Sequence, residues 1–222
     1  MKEVDCILFD LDGTLLDTAQ DFFVAVNQLR EQYKLGPCEF NDIRSRVSEG
    51  AVSLAKFALA LDSDNKKEIE FHRKELLEIY EQCCLNKTTP FNGVNQLLND
   101  INNTGIKWGI VTNKPKFFAE KLVNYFFVSY EPSCLVCPEH TWERKPSPKG
   151  LLKACEIVGS LPSSCVYIGD HLIDIEAGKR AKITTIAAAY GYIPQGESCS
   201  EWNANFIAKS PLQIKSFIPN LN

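Results

Sequence analysis

Residues 4–14 read VDCILFDLDGT, a short apolar run that ends in two aspartates followed by Gly-Thr. Comparable apolar runs recur along the chain, and each precedes a longer segment with helical spacing. Continuously apolar runs, as opposed to alternating ones, are typical of strands covered on both faces. The sequence therefore predicts an α/β fold with a doubly wound, Rossmann-like parallel sheet. The predicted strands are Val4–Phe9, Ile106–Val111, Cys134–Cys137, Cys165–Ile168 and Ile183–Ala189, and the predicted crossover helices are Val94–Asn103, Pro115–Tyr125, Ser147–Ile157 and Ile173–Ala181.

The segment between residues 18 and 84 departs from this alternation, because its pattern is helical throughout. A crossover between parallel strands needs only about a dozen residues, so the longer segment predicts a small all-α cap domain inserted after the first strand. We expect the α/β core at residues 1–16 and 87–222 and the helical cap at residues 17–86. The helices predicted in the cap are Asp21–Tyr33, Asn41–Ala60 and Asn65–Cys83.

The composition is that of an ordinary globular protein. The 222 residues are 45% hydrophobic and 23% charged, which excludes a disordered, collagen-like or coiled-coil chain. Lys and Arg number 24 against 28 Asp and Glu, and the net charge of −4 disfavours nucleic acid as a partner. No stretch approaches the ~18 apolar residues of a membrane span, and residues 1–10 do not resemble a secretory signal. We expect a cytoplasmic protein, a monomer or weak homodimer, that acts on a small molecule without a membrane partner.

The nine cysteines are odd in number and scattered, and several lie inside apolar runs. This distribution favours reduced thiols that pack as small hydrophobic side chains. Cys134 and Cys137, with His140 nearby, have the spacing of a zinc or redox pair. A zinc ribbon needs a second pair of ligands, and a redox pair needs a helix N-terminus that lowers a thiol pKa. The sequence indicates neither, and packing is the favoured interpretation of the pair.

Asp10 and Asp12 lie one residue apart where the first predicted strand ends. Side chains at i and i+2 of an extended segment point the same way. Two carboxylates so close repel each other unless a cation lies between them. A hard dication with oxygen ligands, Mg²⁺ above all, removes that conflict. The pair therefore predicts a magnesium site at this end of the strand.

Three further motifs lie at predicted strand ends or helix starts. Thr112-Asn113 ends one strand with a hydroxyl and an amide, and Lys145 precedes a helix start. Asp170 and Asp174 follow another strand, four residues apart. Ligands of open α/β sheets bind outside the carboxyl ends of the strands, so we expect these groups in one crevice with Asp10. Together they supply a metal site, a cation, a hydroxyl donor and a carboxylate nucleophile, which suits phosphoryl transfer.

The four motifs, in this order, resemble those of the haloacid dehalogenase-like (HAD) phosphohydrolases, and the helical insertion looks like the smaller cap type of that family. The resemblance covers essentially the whole chain. Residues 111–115 and 189–193 are similar to phosphoglycolate phosphatase-like proteins. Ile43–Gly50, Leu135–His140 and Asp174–Gly178 resemble bacterial N-acetylmuramic acid 6-phosphate phosphatases still more. The choice between these two substrates stays open at this point.

The resemblance implies a role for each motif. Asp10 would attack phosphorus and form an aspartyl-phosphate, and Asp12 would act as general acid and then as general base. Mg²⁺ would be held by Asp10, the backbone carbonyl of Asp12 and Asp170. Asp174 would orient Lys145 or a metal-bound water. The residues that would bind the phosphoryl group are Gly13, Thr112, Asn113 and Lys145.

Substrate specificity is expected to come from the cap, which closes over the crevice. Arg44, Arg46 and Ser48 precede Gly50, and an arginine there is suited to pair with a substrate carboxylate in a bidentate manner. Glycolate and the lactyl group of muramic acid both carry a carboxylate, so this feature does not separate them. His171 stands where many relatives carry a small Ser or Thr, and passive lining of the site is the favoured interpretation.

The function favoured by the sequence is Mg²⁺-dependent hydrolysis of a small phosphate monoester, with 2-phosphoglycolate or N-acetylmuramic acid 6-phosphate as candidate substrates. A phosphomutase or pyrophosphatase of the same superfamily uses the same motifs and stays an alternative. A receiver-type signalling domain is also phosphorylated on an aspartate beside Mg²⁺. The two aspartates at one strand end, the helical insertion and the chain length argue against a receiver.

Overall fold

A computed structural model of the chain describes residues 3–61 and 65–221. The predicted domain ranges also include residues 1–2, 62–64 and 222, which lie outside the described residues. The chain divides into two compact units, Met1–Leu16 with Pro90–Asn222 and Asp17–Thr89. None of the helices in the described ranges combines the length and the apolar character that crossing a bilayer requires.

The strands of the described residues are β1 (Cys6–Phe9), β2 (Leu16–Asp17), β3 (Thr89–Pro90), β4 (Lys107–Val111), β5 (Leu135–Val136), β6 (Cys165–Gly169), β7 (Thr184–Ala188) and β8 (Phe206–Ala208). Six of them form one sheet in the order β5-β4-β1-β6-β7-β8, with parallel pairs throughout, and β2 pairs with β3. From central β1 the chain moves outward through β4 and β5, then returns to the other side of β1 for β6, β7 and β8. This arrangement is doubly wound, and the predicted fold class is confirmed.

The helices are α1 (Ala19–Gln32), α2 (Phe40–Arg44), α3 (Ala51–Leu59), α4 (Lys66–Cys83), α5 (Val94–Asn102), α6 (Lys116–Phe126), α7 (Lys149–Val158) and α8 (Leu172–Arg180). In the first unit, α5, α7 and α8 pack on the sheet. Strands β1 and β6 are buried along their whole length, which explains their continuously apolar sequences. Helix α5 is amphipathic, since its buried residues Val94, Leu97, Leu98 and Ile101 recur with helical spacing.

The register of the sheet brings three strand ends to one edge. Phe9 at the end of β1 lies opposite Ile110 of β4 and Ile168 of β6. The ladder continues one residue further, because the Asp10 N–H donates a hydrogen bond to the Ile168 carbonyl at 2.8 Å. The residues that follow β1, β4 and β6 therefore emerge side by side at the carboxyl edge, where ligands of such sheets bind.

Helices α1 to α4 form the second unit, so the predicted helical insertion after the first strand is confirmed. Helices α1 and α4 pack through Phe22 and Tyr80, whose stacked rings have centroids 3.9 Å apart. Asp21 of α1 is fully buried and accepts hydrogen bonds from the N–H groups of Lys87 and Thr88 and from the Thr88 hydroxyl. This carboxylate therefore fixes the segment that follows α4.

Two details of the prediction are wrong. The helix expected at Asn41–Ala60 is divided into α2, the 3₁₀ turn Val47–Glu49 and α3, and Gly50 just before α3 has a φ of 92° and a ψ of 174°. That backbone conformation cannot continue an α-helix. Strands β2, β3 and β8 are absent from the predicted strands, since their two or three residues are too few to form a recognisable apolar run.

Candidate active site

Three buried carboxylates converge where the central strands end. Asp10 follows β1, Asp170 follows β6, and Asp174 lies in the first turn of α8. One oxygen from each carboxylate lies within 4.8 Å of the other two. Asp170 and Asp174 are fully buried, and Asp10 is 7% exposed. The structure thus brings together the acidic residues that the strand-end rule predicts in one crevice.

Asp170 is fixed through both of its carboxylate oxygens. Its Oδ1 accepts a hydrogen bond from the Thr14 hydroxyl at 3.0 Å, and its Oδ2 accepts one from the Tyr192 N–H at 2.9 Å. Gly13 lies against the same carboxylate with a φ of 80°, and a Cβ at this position would overlap Asp170. Glycine is required here by both the left-handed backbone and the close approach.

Lys145 is buried among the acidic residues. Its Nζ lies 2.8 Å from Asp10 Oδ1 and 2.6 Å from Asp174 Oδ1. It also donates hydrogen bonds to the Tyr167 hydroxyl at 2.9 Å and to the Val111 carbonyl at 3.3 Å. The Tyr167 hydroxyl in turn lies 2.9 Å from Asp174 Oδ1. This network fixes the position of the ammonium group beside Asp10.

Burial and charge act together on the titrating groups. Burial raises the pKa of Asp10 to about 6; Lys145 opposes this shift, and Asp174 and Asp12 add to it. Burial alone would lower the pKa of Lys145, but Asp10 and Asp174 raise it above the ordinary lysine value. With Asp10 ionised, three carboxylates and one ammonium leave two uncompensated negative charges in the cluster. Such a buried imbalance is costly unless a cation compensates it.

The donor set fits a divalent metal ion. Carboxylate oxygens are the hard donors that Mg²⁺ prefers, and two uncompensated charges match one dication. Asp10 Oδ1 is buried, and its close electropositive contact within the described residues is the Lys145 ammonium 2.8 Å away, which also pairs with Asp174. One ammonium shared between two buried carboxylates leaves room for a further electropositive partner at Asp10. The geometry therefore supports a divalent ion at Asp10 and its neighbouring carboxylates.

Asp12 lies outside the cluster of three carboxylates. Its two carboxylate oxygens lie 3.0 and 3.2 Å from Lys114 Nζ. The structure thus pairs this carboxylate with an ammonium group, a partner that the sequence argument does not assign.

Thr112 and Asn113 follow β4 at the same edge of the sheet. The Thr112 Oγ1 accepts a hydrogen bond from the Lys114 N–H at 3.2 Å. The Asn113 side chain makes two hydrogen bonds with the backbone of Lys145, accepting from its N–H at 2.8 Å and donating to its carbonyl at 3.1 Å. Asn113 therefore positions the segment that carries Lys145. Phosphoryl binding by Thr112 and by the Asn113 N–H stays a prediction.

Four residues that support the site receive no individual role from the sequence argument: Thr14, Lys114, Tyr167 and Tyr192. Three of them lie inside the stretches DLDGT, VTNKP and AYGYI, so their proximity to the site follows from the motifs. Their partners do not follow, because these depend on how separate loops pack. Tyr167 could have been recognised from its place in a buried apolar strand, because a buried tyrosine hydroxyl needs a hydrogen-bond partner.

The predicted specificity residues belong to the second unit. Arg44 ends α2, and Ser48 lies in the 3₁₀ turn Val47–Glu49. The Arg46 guanidinium lies 4.2 Å from the centre of the Phe57 ring and donates a hydrogen bond to a backbone carbonyl within α2 at 2.7 Å. Arg46 thus has partners within its own unit, and recognition of a substrate carboxylate by these residues stays a prediction.

His171 is the N-cap residue that precedes helix α8. Its Nδ1 accepts a hydrogen bond from the Ile173 N–H at 3.3 Å, and its own N–H donates to Asp174 Oδ2 at 3.1 Å. A side chain that satisfies an N–H of the first helical turn stabilises the helix start. This capping role accounts for His171 beside Asp170 without a part in the chemistry.

The nine cysteines are free, and eight of them are buried. Burial raises the pKa of Cys134 to about 11 and that of Cys137 to about 12. The thiolate is the form that binds metals and acts as a nucleophile, so these thiols are unsuited to either role at neutral pH. The Cys137 N–H donates a hydrogen bond to His140 Nδ1 at 2.9 Å. The geometry agrees with packing as the interpretation of this pair.

Comparison with known proteins assigns the chain to a family whose model spans the residues of the site. The model of the family described as haloacid dehalogenase-like hydrolase matches residues 7–188, a range that includes all four motifs. The chain belongs to the haloacid dehalogenase-like hydrolases. The predicted family and the predicted class of enzyme are therefore confirmed.

This hydrolase has similar relatives along nearly its whole length. It is 40% identical over 210 residues to the N-acetylmuramic acid 6-phosphate phosphatase of Pseudomonas aeruginosa, which covers 94% of this chain and 92% of the relative. It is 33% identical over 205 residues to a phosphoglycolate phosphatase of Xylella fastidiosa, with 92% and 89% covered. Its fold is similar to the crystal structure of a predicted phosphoglycolate phosphatase from Haemophilus somnus, with a TM-score of 0.87, 22% identity, and 98% and 99% covered.

Replacing Gly13 with alanine should impair this hydrolase, because the new Cβ would displace the Asp170 carboxylate. We expect kcat/KM for p-nitrophenyl phosphate to fall by about 100-fold or more, since small displacements of reacting groups cost this much. Gly105→Ala is the matched control, since Gly105 has a φ of 76° and a Cβ there meets no atom within 4 Å. Equal losses in the two variants would show that backbone strain, and not the Asp170 contact, causes the effect.

Proposed function

We propose that this hydrolase is a Mg²⁺-dependent phosphatase that acts on a small organic phosphate monoester through an aspartyl-phosphate on Asp10. The observation that carries the proposal is the buried Asp10 carboxylate, which lies beside the Lys145 ammonium and within 4.8 Å of Asp170 and Asp174. A carboxylate beside fixed positive charge is suited to receive a phosphoryl group, because the charge stabilises the oxygens of that group in transit.

In the first step, a carboxylate oxygen of Asp10 attacks phosphorus in line with the ester oxygen. The bond between Asp10 and phosphorus forms while the ester P–O bond breaks, and Asp12 gives its proton to the departing alkoxide. Lys145, the Thr112 hydroxyl and the Asn113 N–H bind the remaining phosphoryl oxygens, and Gly13 lets the backbone approach them closely.

In the second step, water attacks the same phosphorus atom. Asp12, now a carboxylate, takes a proton from the water as the new P–O bond forms. The bond between phosphorus and Asp10 breaks, and inorganic phosphate leaves. Asp12 thus acts first as an acid and then as a base, and both aspartates return to their starting forms.

Asp10, Asp170 and the backbone carbonyl of Asp12 would hold Mg²⁺, which when bound neutralises phosphoryl oxygens as a Lewis acid. Asp174 has a different part, because its 2.6 Å ion pair holds Lys145 in place. A metal-bound water is the other group that Asp174 would orient.

A phosphate-release screen with Mg²⁺ tests the proposal and its substrate. N-acetylmuramic acid 6-phosphate is the first candidate and 2-phosphoglycolate the second, because identity is 40% to a relative named for the former and 33% to one named for the latter. We expect kcat/KM for N-acetylmuramic acid 6-phosphate to exceed that for glucosamine 6-phosphate, which lacks the lactyl carboxylate, by at least about 10-fold. A preference for 2-phosphoglycolate would assign the second candidate, and no release from any monoester would refute the function.

Product analysis separates the alternatives. A phosphomutase returns an isomeric phosphate ester in place of inorganic phosphate, and a pyrophosphatase prefers pyrophosphate in the same screen. A receiver domain takes up one phosphoryl group per chain and stops, whereas a phosphatase that forms a covalent intermediate continues to turn over.

In this proposal, an α/β core at residues 1–16 and 87–222 carries the catalytic residues. A helical cap at residues 17–86 determines substrate specificity. Arg44, Arg46 and Ser48 are the candidate contacts of the cap with a substrate carboxylate. A cytoplasmic location and a monomeric or weakly dimeric state stay predictions from the sequence.

A further inference from the structure

Lys114 is a buried lysine that contacts Asp12. Its Nζ lies 3.0 and 3.2 Å from the two Asp12 oxygens, and its side chain is 3% exposed, against 14% for Asp12. Lysine side chains are almost never buried to this degree unless they are paired. The two residues lie 102 positions apart in the chain. Their contact therefore results from the fold and not from local sequence.

The backbone of Lys114 is fixed at the end of β4. Its N–H donates a hydrogen bond to the Thr112 hydroxyl at 3.2 Å, and Pro115 precedes the first residue of α6. A proline restricts the backbone of the residue before it. Lys114 therefore extends toward Asp12 from an anchored position at the carboxyl edge of the sheet.

The two buried lysines of the site contact different carboxylates. Lys145 pairs with Asp10 and Asp174, whereas Lys114 pairs with Asp12. When Asp12 is a carboxylate, as it is before it takes the proton from water, its pair with Lys114 is neutral. Because the ammonium lies 3.0 and 3.2 Å from the two carboxylate oxygens, it restrains the rotation of the Asp12 carboxylate as well as its location.

We infer that Lys114 is a positioning residue for Asp12, and this inference rests on the proposed phosphatase function. Lys114 holds the Asp12 carboxylate in the orientation from which it takes a proton from the attacking water. In that step the proton passes from water to Asp12, the water oxygen bonds to phosphorus, and the bond from phosphorus to Asp10 breaks. Lys114 keeps its own protons throughout. Without Lys114 the Asp12 side chain samples other rotamers, and hydrolysis of the aspartyl-phosphate slows.

The choice of leaving group separates this role from a merely structural one. p-Nitrophenolate leaves without being protonated, so p-nitrophenyl phosphate forms the aspartyl-phosphate without an acid, whereas hydrolysis of the intermediate still needs a base. In Lys114→Met, stopped-flow absorbance should show a burst of about one p-nitrophenolate per chain, at a rate close to the wild-type first step. The following steady-state rate should be roughly 10- to 100-fold below that of the wild type, which is part of what a general base contributes.

Three further variants complete the test. Lys114→Arg should restore most of the steady-state rate, because a guanidinium also contacts both carboxylate oxygens. In an Asp12→Asn background, Lys114→Met should change the rate by less than about twofold, because the group through which Lys114 acts is gone. Lys116→Met is the matched control and should behave as the wild type, since Lys116 is 46% exposed and pairs with Glu120 on the same helix. If Lys114→Met does not fold, Lys114→Gln has the same expected behaviour.

A burst rate that falls as far as the steady-state rate would overturn the inference, and so would full activity in Lys114→Met or additive losses in the double variant. These results differ from a failure of the proposed function itself. That failure appears in the wild type, as an absence of phosphate release from every monoester.

Discussion

Asp10→Asn should abolish phosphate release, with kcat/KM lowered by more than about 10⁴-fold, as when other enzymes lose a nucleophile. An amide cannot form the acyl-phosphate bond on which both steps depend. The neighbouring carboxylates cannot substitute for it. Both oxygens of Asp170 accept hydrogen bonds, and Asp174 is paired with Lys145. The measurement is phosphate release at saturating Mg²⁺, for an alkyl phosphate and for p-nitrophenyl phosphate.

The fold should tolerate the same substitution. Burial raises the pKa of Asp10 from 3.8 to about 6 in the folded protein, so the protonated form favours folding. The free energy of unfolding of the metal-free protein therefore falls as pH rises between these values, and ionised Asp10 destabilises the protein above them. Asparagine removes this charge, while Asp174 still pairs with Lys145. The melting temperature of metal-free Asp10→Asn at about pH 7.5 should equal or exceed that of the wild type.

Asp100→Asn is the control for this experiment. It removes a partly exposed carboxylate that pairs with Lys215 and belongs to none of the four motifs, and it should leave turnover unchanged. Near-wild-type turnover by folded Asp10→Asn would exclude Asp10 as the nucleophile. Lost turnover together with lost folding would contradict the stability argument.

Removal of divalent ions should inactivate the enzyme. We expect kcat to fall by roughly 10³-fold or more on addition of EDTA and to recover when Mg²⁺ is added back. The physical reason is the cluster of three carboxylates with a single lysine, which without a cation repels an anionic phosphate ester. Asp170→Asn should weaken Mg²⁺ binding measured by calorimetry, whereas Asp100→Asn should not. Activity that persists in EDTA would show that turnover does not require a divalent metal ion.

Mg²⁺ binding should also depend on pH. Because the pKa of Asp10 is raised to about 6, this carboxyl group is mostly protonated below that pH and must lose its proton to bind the ion. The Kd for Mg²⁺ should therefore rise by about 10-fold for each pH unit below about 6. Calorimetry in two buffers of different ionisation enthalpy should detect the released proton. An affinity that is constant from about pH 5 to pH 7 would contradict the linkage.

The placement of Asp10, Thr112 and Asp170 at one edge of the sheet could be predicted, because it depends only on local sequence patterns and one general rule. Continuous apolar runs predict buried parallel strands, and the carboxyl ends of such strands share an edge. The helical insertion could be predicted for a similar reason, since its length exceeds what a crossover needs.

The side-chain pairs could not be predicted in this way. The contacts of Lys114 with Asp12 and of Tyr167 with Lys145 depend on how loops and strands from distant parts of the chain pack. The division of α2 from α3 could not be predicted either. The apolar spacing continues across Gly50, although α2 ends at Arg44 and the φ of 92° at Gly50 does not belong to an α-helix.

The most direct test of the account is the location of the phosphoryl group. Asp12→Asn should accumulate the intermediate when mixed with p-nitrophenyl phosphate and Mg²⁺, because that variant lacks the base needed for hydrolysis. Acid quenching during the burst, followed by digestion and tandem mass spectrometry, should place the phosphoryl group on Asp10. A phosphoryl group on any other residue, or a full burst of p-nitrophenolate from an unmodified chain, would contradict the account.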